Sequence, residues 1–226
     1  LPLRRSKTDL VKTISVAFSE YQEYKKAKID KYKKLKQLGN SGKEGTTFLV
    51  ITPEGNKYAM KTFKKQKSSS KLSKEAELQK AAAATGAAPS VIDIDTVSKY
   101  IVMEKLDKHL WDIIVKNEGY LSTYYQKQII TIFKKLDNCG VFHGDANIMN
   151  YMIKNKRLYI IDFGMAKEIT NELQRKLGTS TPNIRIMTLG LILKLKELNC
   201  NPKSYSHLAK YLSEEEKFRF NININF

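Results

Sequence analysis

The stretch from Val141 to Lys167, VFHGDANIMNYMIKNKRLYIIDFGMAK, constrains this chain more than any other. It holds His143-Gly144-Asp145, Asn150 five residues after that aspartate, a charged turn over 154–157, an apolar run over 158–161, and then Asp162-Phe163-Gly164. Phosphoryl transfer asks little covalent chemistry of a protein, but it needs a carboxylate at the acceptor hydroxyl and oxygen ligands for Mg²⁺ on the nucleotide phosphates. Candidates for both are here: Asp145 on a loop, and Asn150 and Asp162 as hard oxygen donors for a cation that keeps several waters. The run LYIID reads as a short strand delivering Asp162, and Gly164 lets the chain turn away at once. Taken alone, these residues also suit ordinary turns and a strand exit.

Here the chain resembles the protein-kinase-like superfamily. His-Gly-Asp with Asn five residues on, then a hairpin and Asp-Phe-Gly, stands where that family has its catalytic and metal-binding loops. The resemblance covers about residues 38–170. It implies a two-lobed α+β fold, with an antiparallel sheet plus one helix in the N-lobe and a truncated, mainly helical C-lobe. A basic helical extension over 1–37, an N-lobe over 38–105 and a C-lobe over 106–226 are expected. By the same resemblance ATP is the phosphate donor, Asp145 the catalytic base, and Asn150 and Asp162 the Mg²⁺ ligands.

Upstream residues extend the match. Gly39, Gly42 and Gly45 look like a glycine-rich hairpin over the phosphates, with one residue more than the usual spacing. The turn PEGN (53–56) joins two strand-like runs, TFLVIT and KYAMKTF. In the second, the resemblance makes Lys61 the lysine on the α and β phosphates and Ala59 a contact of the adenine. After the polar SSSK run, Ser73 and Lys74 lead into EAELQKAAAA, an alanine-rich helix of high intrinsic propensity. Glu75 is the expected partner of Lys61, with Glu77 its competitor; Glu75 is preferred because Leu78 follows at the spacing that turns an apolar residue inward. KYIVMEKLD reads as the strand into the hinge, and the resemblance puts Met103 behind the adenine and the backbones of Glu104 and Leu106 along its edge.

Residues 8–38 read as helix, with Leu10, Ile14, Ala17, Phe18, Tyr21 and Tyr24 as a stripe that packs on the lobe. The lysine-dense remainder is then a solvated face, the alternative being a docking helix for nucleic acid or an acidic partner. Further on, HLWDIIVKNEG is a short amphipathic helix. A longer one follows, capped by Ser122, buried along Tyr125, Ile129, Ile132, Phe133 and Leu136, and ended by Cys139-Gly140.

Three departures bear on substrate. Gly144 stands where typical protein kinases carry an arginine that binds an activation-loop phosphate. Asn147 stands where serine/threonine kinases carry a lysine. No Ala-Pro-Glu follows Lys167, and the run Ile184–Leu198, read as the buried anchoring helix, lacks an acidic residue at its start, with Asn183 and Arg185 nearby. Such a truncated HGD-type domain is similar to the small kinase of the KEOPS tRNA-modification complex, to aminoglycoside phosphotransferases, and to compact kinases of large DNA viruses and bacterial effectors. EAELQKAAAATGAAPSVIDID followed by IVME is nearest the first of these.

A formal charge of +17 attracts polyanions, so nucleic acid, an anionic surface or an acidic protein substrate fits it; AT-rich codons account for the abundant Lys, Asn, Ile and Tyr equally well. The same charge repels cationic sugars. Cys139 and Cys200 suggest reduced thiols and an intracellular setting, cytoplasmic or nuclear, or the host cell for a viral or effector protein. No apolar run is long enough to span a bilayer, and LPLRRSKTDL lacks the apolar core of a signal peptide. The expected activity is that of an ATP- and Mg²⁺-dependent protein serine/threonine kinase, autophosphorylation included. The alternatives are a small-molecule hydroxyl kinase, or a pseudokinase or ATPase scaffold for a protein or nucleic-acid partner. Oligomeric state is left open.

Overall fold

Tyr32 fixes where the N-terminal helix ends. The computed structural model describes residues 7–39, 41, 42 and 44–222, and in it helix α1 (Lys7–Lys31) gives way at once to strand β1 (Lys33–Leu38). The helix expected over 8–38 is therefore corrected to a helix followed by a strand. Lysine favours helix well enough, but Tyr32 buries its ring among Val50, Met60, Tyr100 and Val102, edge-on to Tyr100 with centres 6.2 Å apart. The backbone beyond it then finds partners in a sheet, where exposed lysines suit an unpaired edge. The α1 stripe does not pack on the lobe as expected. Ile14 and Phe18 are each 61% exposed, Ala17 and Tyr21 are exposed as well, and the side chains of Leu10 and Tyr24 lie outside the described ones. The core position on that side of the sheet is taken by Tyr32.

The two runs around PEGN become β2 (Gly45–Ile51) and β3 (Lys57–Phe63), closed by a turn in which the Gly55 amide donates to the Thr52 carbonyl at 2.9 Å. Helix α2 (Ser69–Ala84) follows. The SSSK run, placed ahead of the helix by the sequence, is its opening: Ser68 caps it by accepting the Lys71 amide at 3.3 Å. Helix α2 lays Leu72 and Ala76 against Phe63 and Ile101. With β4 (Val91–Asp95) and β5 (Tyr100–Glu104) the sheet is complete, five antiparallel strands in the order β1-β2-β3-β5-β4.

The C-terminal part is mainly helical. After β6 (Lys108–His109) come α3 (Leu110–Lys116) and α4 (Thr123–Asn138). Ile129, Ile132, Phe133 and Leu136 of α4 are buried as their spacing requires, while Tyr125 is only half-buried. Ser122 occupies the cap position of α4 without a side-chain hydrogen bond. Short β7 (Val141–Phe142) precedes the His-Gly-Asp loop. Strands β8 (Tyr151–Lys154) and β9 (Arg157–Ile160) form the expected hairpin, whose turn residues Asn155 and Lys156 both take positive φ, 51° and 65°. Strand β10 (Lys167–Glu168) pairs with β7, so the two ends of the decisive stretch lie side by side.

Helix α5 (Asn171–Leu177), a π-helical turn (Asn183–Met187), α6 (Thr188–Glu197) and α7 (Glu214–Arg219) complete this part. The anchoring helix expected over 184–198 is thus the π-turn running into α6, with Leu191, Ile192 and Leu195 fully buried. Among the described residues no helix is long and apolar enough to cross a membrane. Cys139 and Cys200 are free thiols.

Candidate active site

His143 is the hub of the loop. It is fully buried, its Nε2 lies 3.0 Å from the Ile161 carbonyl, and its Nδ1 lies 3.4 Å from the Asp145 amide. A carbonyl can only accept and an amide only donate, so the ring is neutral with its proton on Nε2. It packs edge-on to Phe163, centres 5.0 Å apart, and so joins the His-Gly-Asp and Asp-Phe-Gly segments. Burial pushes the His143 pKa down, against the Ile161 carbonyl and the charges of Asp145 and Asp162. In the unfolded chain the ring titrates near the ordinary 6.5. Its contribution to stability is therefore full above that pH and is lost as pH falls through the lower folded value. Urea midpoints should decline on acidification below about pH 6.5. In His143→Gln that segment of the profile should flatten, and an unchanged slope would remove His143 from the account.

Gly144, at the place of the family's arginine, has φ +79°, and a Cβ there would stand 3.0 Å from the Met165 carbonyl. The backbone, not only the chemistry, calls for glycine.

Asp145 is held by both oxygens: Oδ1 accepts the Asn147 amide at 3.1 Å and Oδ2 accepts Asn150 Nδ2 at 2.8 Å. Asn147 in turn caps the next short turn by accepting the Met149 amide at 3.0 Å. With its nitrogen committed, Asn150 keeps Oδ1, which makes no hydrogen bond among the described residues. Asp162 adopts a left-handed backbone, φ 67° and ψ 77°, a conformation that costs a non-glycine residue energy. Its Oδ1 accepts Lys61 Nζ at 2.7 Å and the Gly164 amide at 3.4 Å, which leaves Oδ2 free of hydrogen bonds among the described residues.

Burial would raise the Asp162 carboxyl, but the charge and hydrogen bond of Lys61 hold it below the usual carboxylate range. Burial likewise opposes the charge on Lys61, and Glu75 and Asp162 outweigh it, so the ammonium persists. Lys61 Nζ is 2.8 Å from Glu75 Oε1, and Glu75 is buried while Glu77 is exposed.

Gly42, Gly45, Thr47, Lys61, Asp145 and Asp162 line one cavity of about 420 Å³. Gly39, at the end of β1, does not line it, and Asn40 and Lys43 lie outside the described residues. Gly45 is required by packing, since a Cβ there would fall 1.9 Å from the Thr62 carbonyl. Deeper along the sheet, Ala59 pairs with Met103 across β3 and β5, and Gln79 Nε2 approaches the Met103 sulfur at 3.6 Å. The Glu104 amide donates to the Ser90 carbonyl at 2.9 Å, and its carboxylate meets Lys154 Nζ at 2.7 Å. That amide is occupied, so only the Glu104 carbonyl remains for a ligand edge. The Leu106 amide has no partner among the described residues.

Four residues that spacing alone does not flag also belong to this region. Asn183, fully buried, accepts the His143 amide at 3.0 Å and donates to the Val141 carbonyl and to Asp137 Oδ1, each at 2.7 Å. Asp137 also accepts the amides of Asn183 at 2.9 Å and Ile184 at 3.1 Å, and so caps the π-turn. Burial raises its pKa against those hydrogen bonds. The start of the anchoring helix, which carries no acidic residue of its own, is thus held by one on α4. The other two, Glu44 and Lys67, flank Lys61.

Residues 32–184 match the protein kinase domain family. Among curated proteins, a probable serine/threonine-protein kinase BUD32 homolog of Archaeoglobus fulgidus is 28% identical over 119 residues, 52% of this chain and 57% of its own length. The KEOPS complex subunit Bud32 of Pyrococcus abyssi is 29% identical over 80 residues, 35% of this chain and 36% of its own. A probable bifunctional tRNA threonylcarbamoyladenosine biosynthesis protein of Methanocorpusculum labreanum is 33% identical over 93 residues, 41% of this chain and 16% of its own. The chain thus spans well under two thirds of each relative. With the family match running through more than half of its length, the chain belongs to the protein kinase domain family.

Proposed function

We propose that this kinase is an ATP- and Mg²⁺-dependent phosphotransferase acting on protein serine or threonine hydroxyls, its own among them. The observation that carries this is a convergence: Lys61 and Asp162, 101 positions apart, meet at 2.7 Å beside Asp145 on one cavity. Asp145, fixed at both oxygens, receives the proton of the acceptor hydroxyl. Lys61, oriented by Glu75, neutralises the α and β phosphates. The glycines over 42–45 cover them, and Ala59, Met103, the Glu104 carbonyl and the Leu106 amide frame the adenine.

The free amide oxygen of Asn150 and the free Oδ2 of Asp162 are hard donors that fit Mg²⁺. Held there, the ion supplies charge neutralisation on the phosphates. The lobes are proposed to divide near residue 105, β1 going with the sheet.

The test is labelled ATP with Mg²⁺ and a panel of acidic proteins, basic proteins and sugars, run beside Asp162→Ala. Label on serine or threonine of protein is expected, reduced about 10²–10³-fold in the variant, because charge stabilisation of several kcal/mol is lost. Label only on sugars would replace this reading with a small-molecule kinase. That alternative is favoured by one observation, the commitment of Asn147 to a turn where a lysine would assist. ATP binding without any transfer would leave a scaffold. The Pyrococcus relative is named as a subunit of a complex, which supports a protein partner, and the free thiols of Cys139 and Cys200 support an intracellular setting. The charge of +17 supports an acidic partner or nucleic acid.

A further inference from the structure

The glycine-rich hairpin sends a carboxylate into its own cleft. Glu44 Oε2 lies 2.8 Å from Lys67 Nζ and 3.7 Å from Lys61 Nζ. Lys67 also pairs with Glu75 Oε2, so Glu75 divides its two oxygens between two lysines. The Lys67 side chain is only 9% exposed. Both ammonium groups stand over the Phe63 ring, 5.0 and 4.7 Å from its centre. One carboxylate oxygen each from Glu44, Glu75 and Asp162 falls within a 4.8 Å span, and the lysines hold them together.

Three negative groups against two positive leave this cluster with surplus negative charge, in a partly desolvated place where charge interactions weaken little with screening. Lys67, its side chain nine-tenths buried, pairs with Glu75 and Glu44 together, so that with Glu44 displaced two lysines face two carboxylates and an incoming anion takes the vacated place.

Glu44 is also the partition between two cavities. It lines the 420 Å³ space with Lys61, Asp145 and Asp162, and a neighbouring space of about 590 Å³ with Lys67, Lys71 and Lys74. Its backbone is tied down, the Lys64 amide donating to its carbonyl at 2.9 Å. Its side chain is 44% exposed, so water reaches the carboxylate.

We propose that Lys67 is a second phosphate-binding lysine and that Glu44 keeps its place in the nucleotide-free protein. This rests on the nucleotide site proposed above. The terminal phosphate of ATP displaces the Glu44 carboxylate from the lysine pair, trading one anion for another. Lys67 keeps two anionic partners throughout, and the Glu44 side chain, not the hairpin backbone, leaves the cleft as the phosphates arrive. Removing the carboxylate therefore favours nucleotide, and removing the lysine disfavours it. Both effects are confined to ligands long enough to reach Lys67.

Binding of ATP, ADP and AMP to the full chain with Mg²⁺, by calorimetry, tests this without any transfer reaction. Glu44→Gln is expected to tighten ATP about tenfold, and Lys67→Met to weaken it about tenfold, the scale of one charge-assisted hydrogen bond. AMP affinity should change less than about twofold in either. ATP affinity unchanged or weaker in Glu44→Gln would overturn the proposal, as would an equal loss of AMP and ATP binding in Lys67→Met. Should Lys67→Met fail to fold, Glu44→Gln decides alone. ATP bound normally by the wild type with flat responses in the variants sinks only this inference, whereas no ATP binding by the wild type sinks the nucleotide site and this inference together.

Discussion

Asp145→Ala is expected to lower phosphoryl transfer about 10²–10⁴-fold, the range that a positioned proton acceptor contributes, while ATP affinity stays within about threefold. The separation follows from what each carboxylate touches. Asp145 is bound to Asn147 and Asn150, with no lysine on it among the described residues, whereas Asp162 is bonded directly to Lys61. Removing Asp145 takes away an acceptor-side group and leaves the lysine end intact. Nucleotide titration of Asp145→Ala beside Asp162→Ala reads the difference. Equal losses of ATP affinity in the two would mean that Asp145 belongs to the phosphate site, and the assignment of roles would have to be reversed.

Asn183→Ala should cost about 3–5 kcal/mol of stability, read from urea unfolding. Asn183 is fully buried and serves three partners, the His143 amide, the Val141 carbonyl and Asp137. Each polar group left unpaired in the interior costs about 1–3 kcal/mol, and more where a charge is involved. Asn183→Asp should not rescue it. A carboxylate there would face Asp137 Oδ1 at the same short range and could not donate to the Val141 carbonyl. A loss under about 1 kcal/mol in Asn183→Ala would mean that water replaces the side chain without difficulty.

What was legible in the sequence is what is local. The β8–β9 hairpin, the two strands around PEGN and the buried stripe of α4 follow from periodicity and turn chemistry within a dozen residues or so. The five-stranded antiparallel sheet followed by a mainly helical part came with the family resemblance.

What was not legible depends on partners far along the chain. The α1 boundary is set by Tyr32 packing against Tyr100. Asn183 matters through Asp137, 46 positions earlier. Glu44 carries no spacing signal of its own, and Lys67 is one lysine among 40 basic residues. Charge-rich composition hid both, since a chain full of lysines gives no local sign of the one that is buried.

The left-handed turn at Asp162 has a consequence of its own. A chain shaped only for durability would put glycine there, where such a twist is nearly free. Aspartate is kept at an energetic disadvantage, and its carboxylate is thereby aimed at a lysine from the other half of the molecule. The kink is a spring that the rest of the scaffold holds wound, and the glycine that would relax it would also take from Lys61 the carboxylate bonded to it.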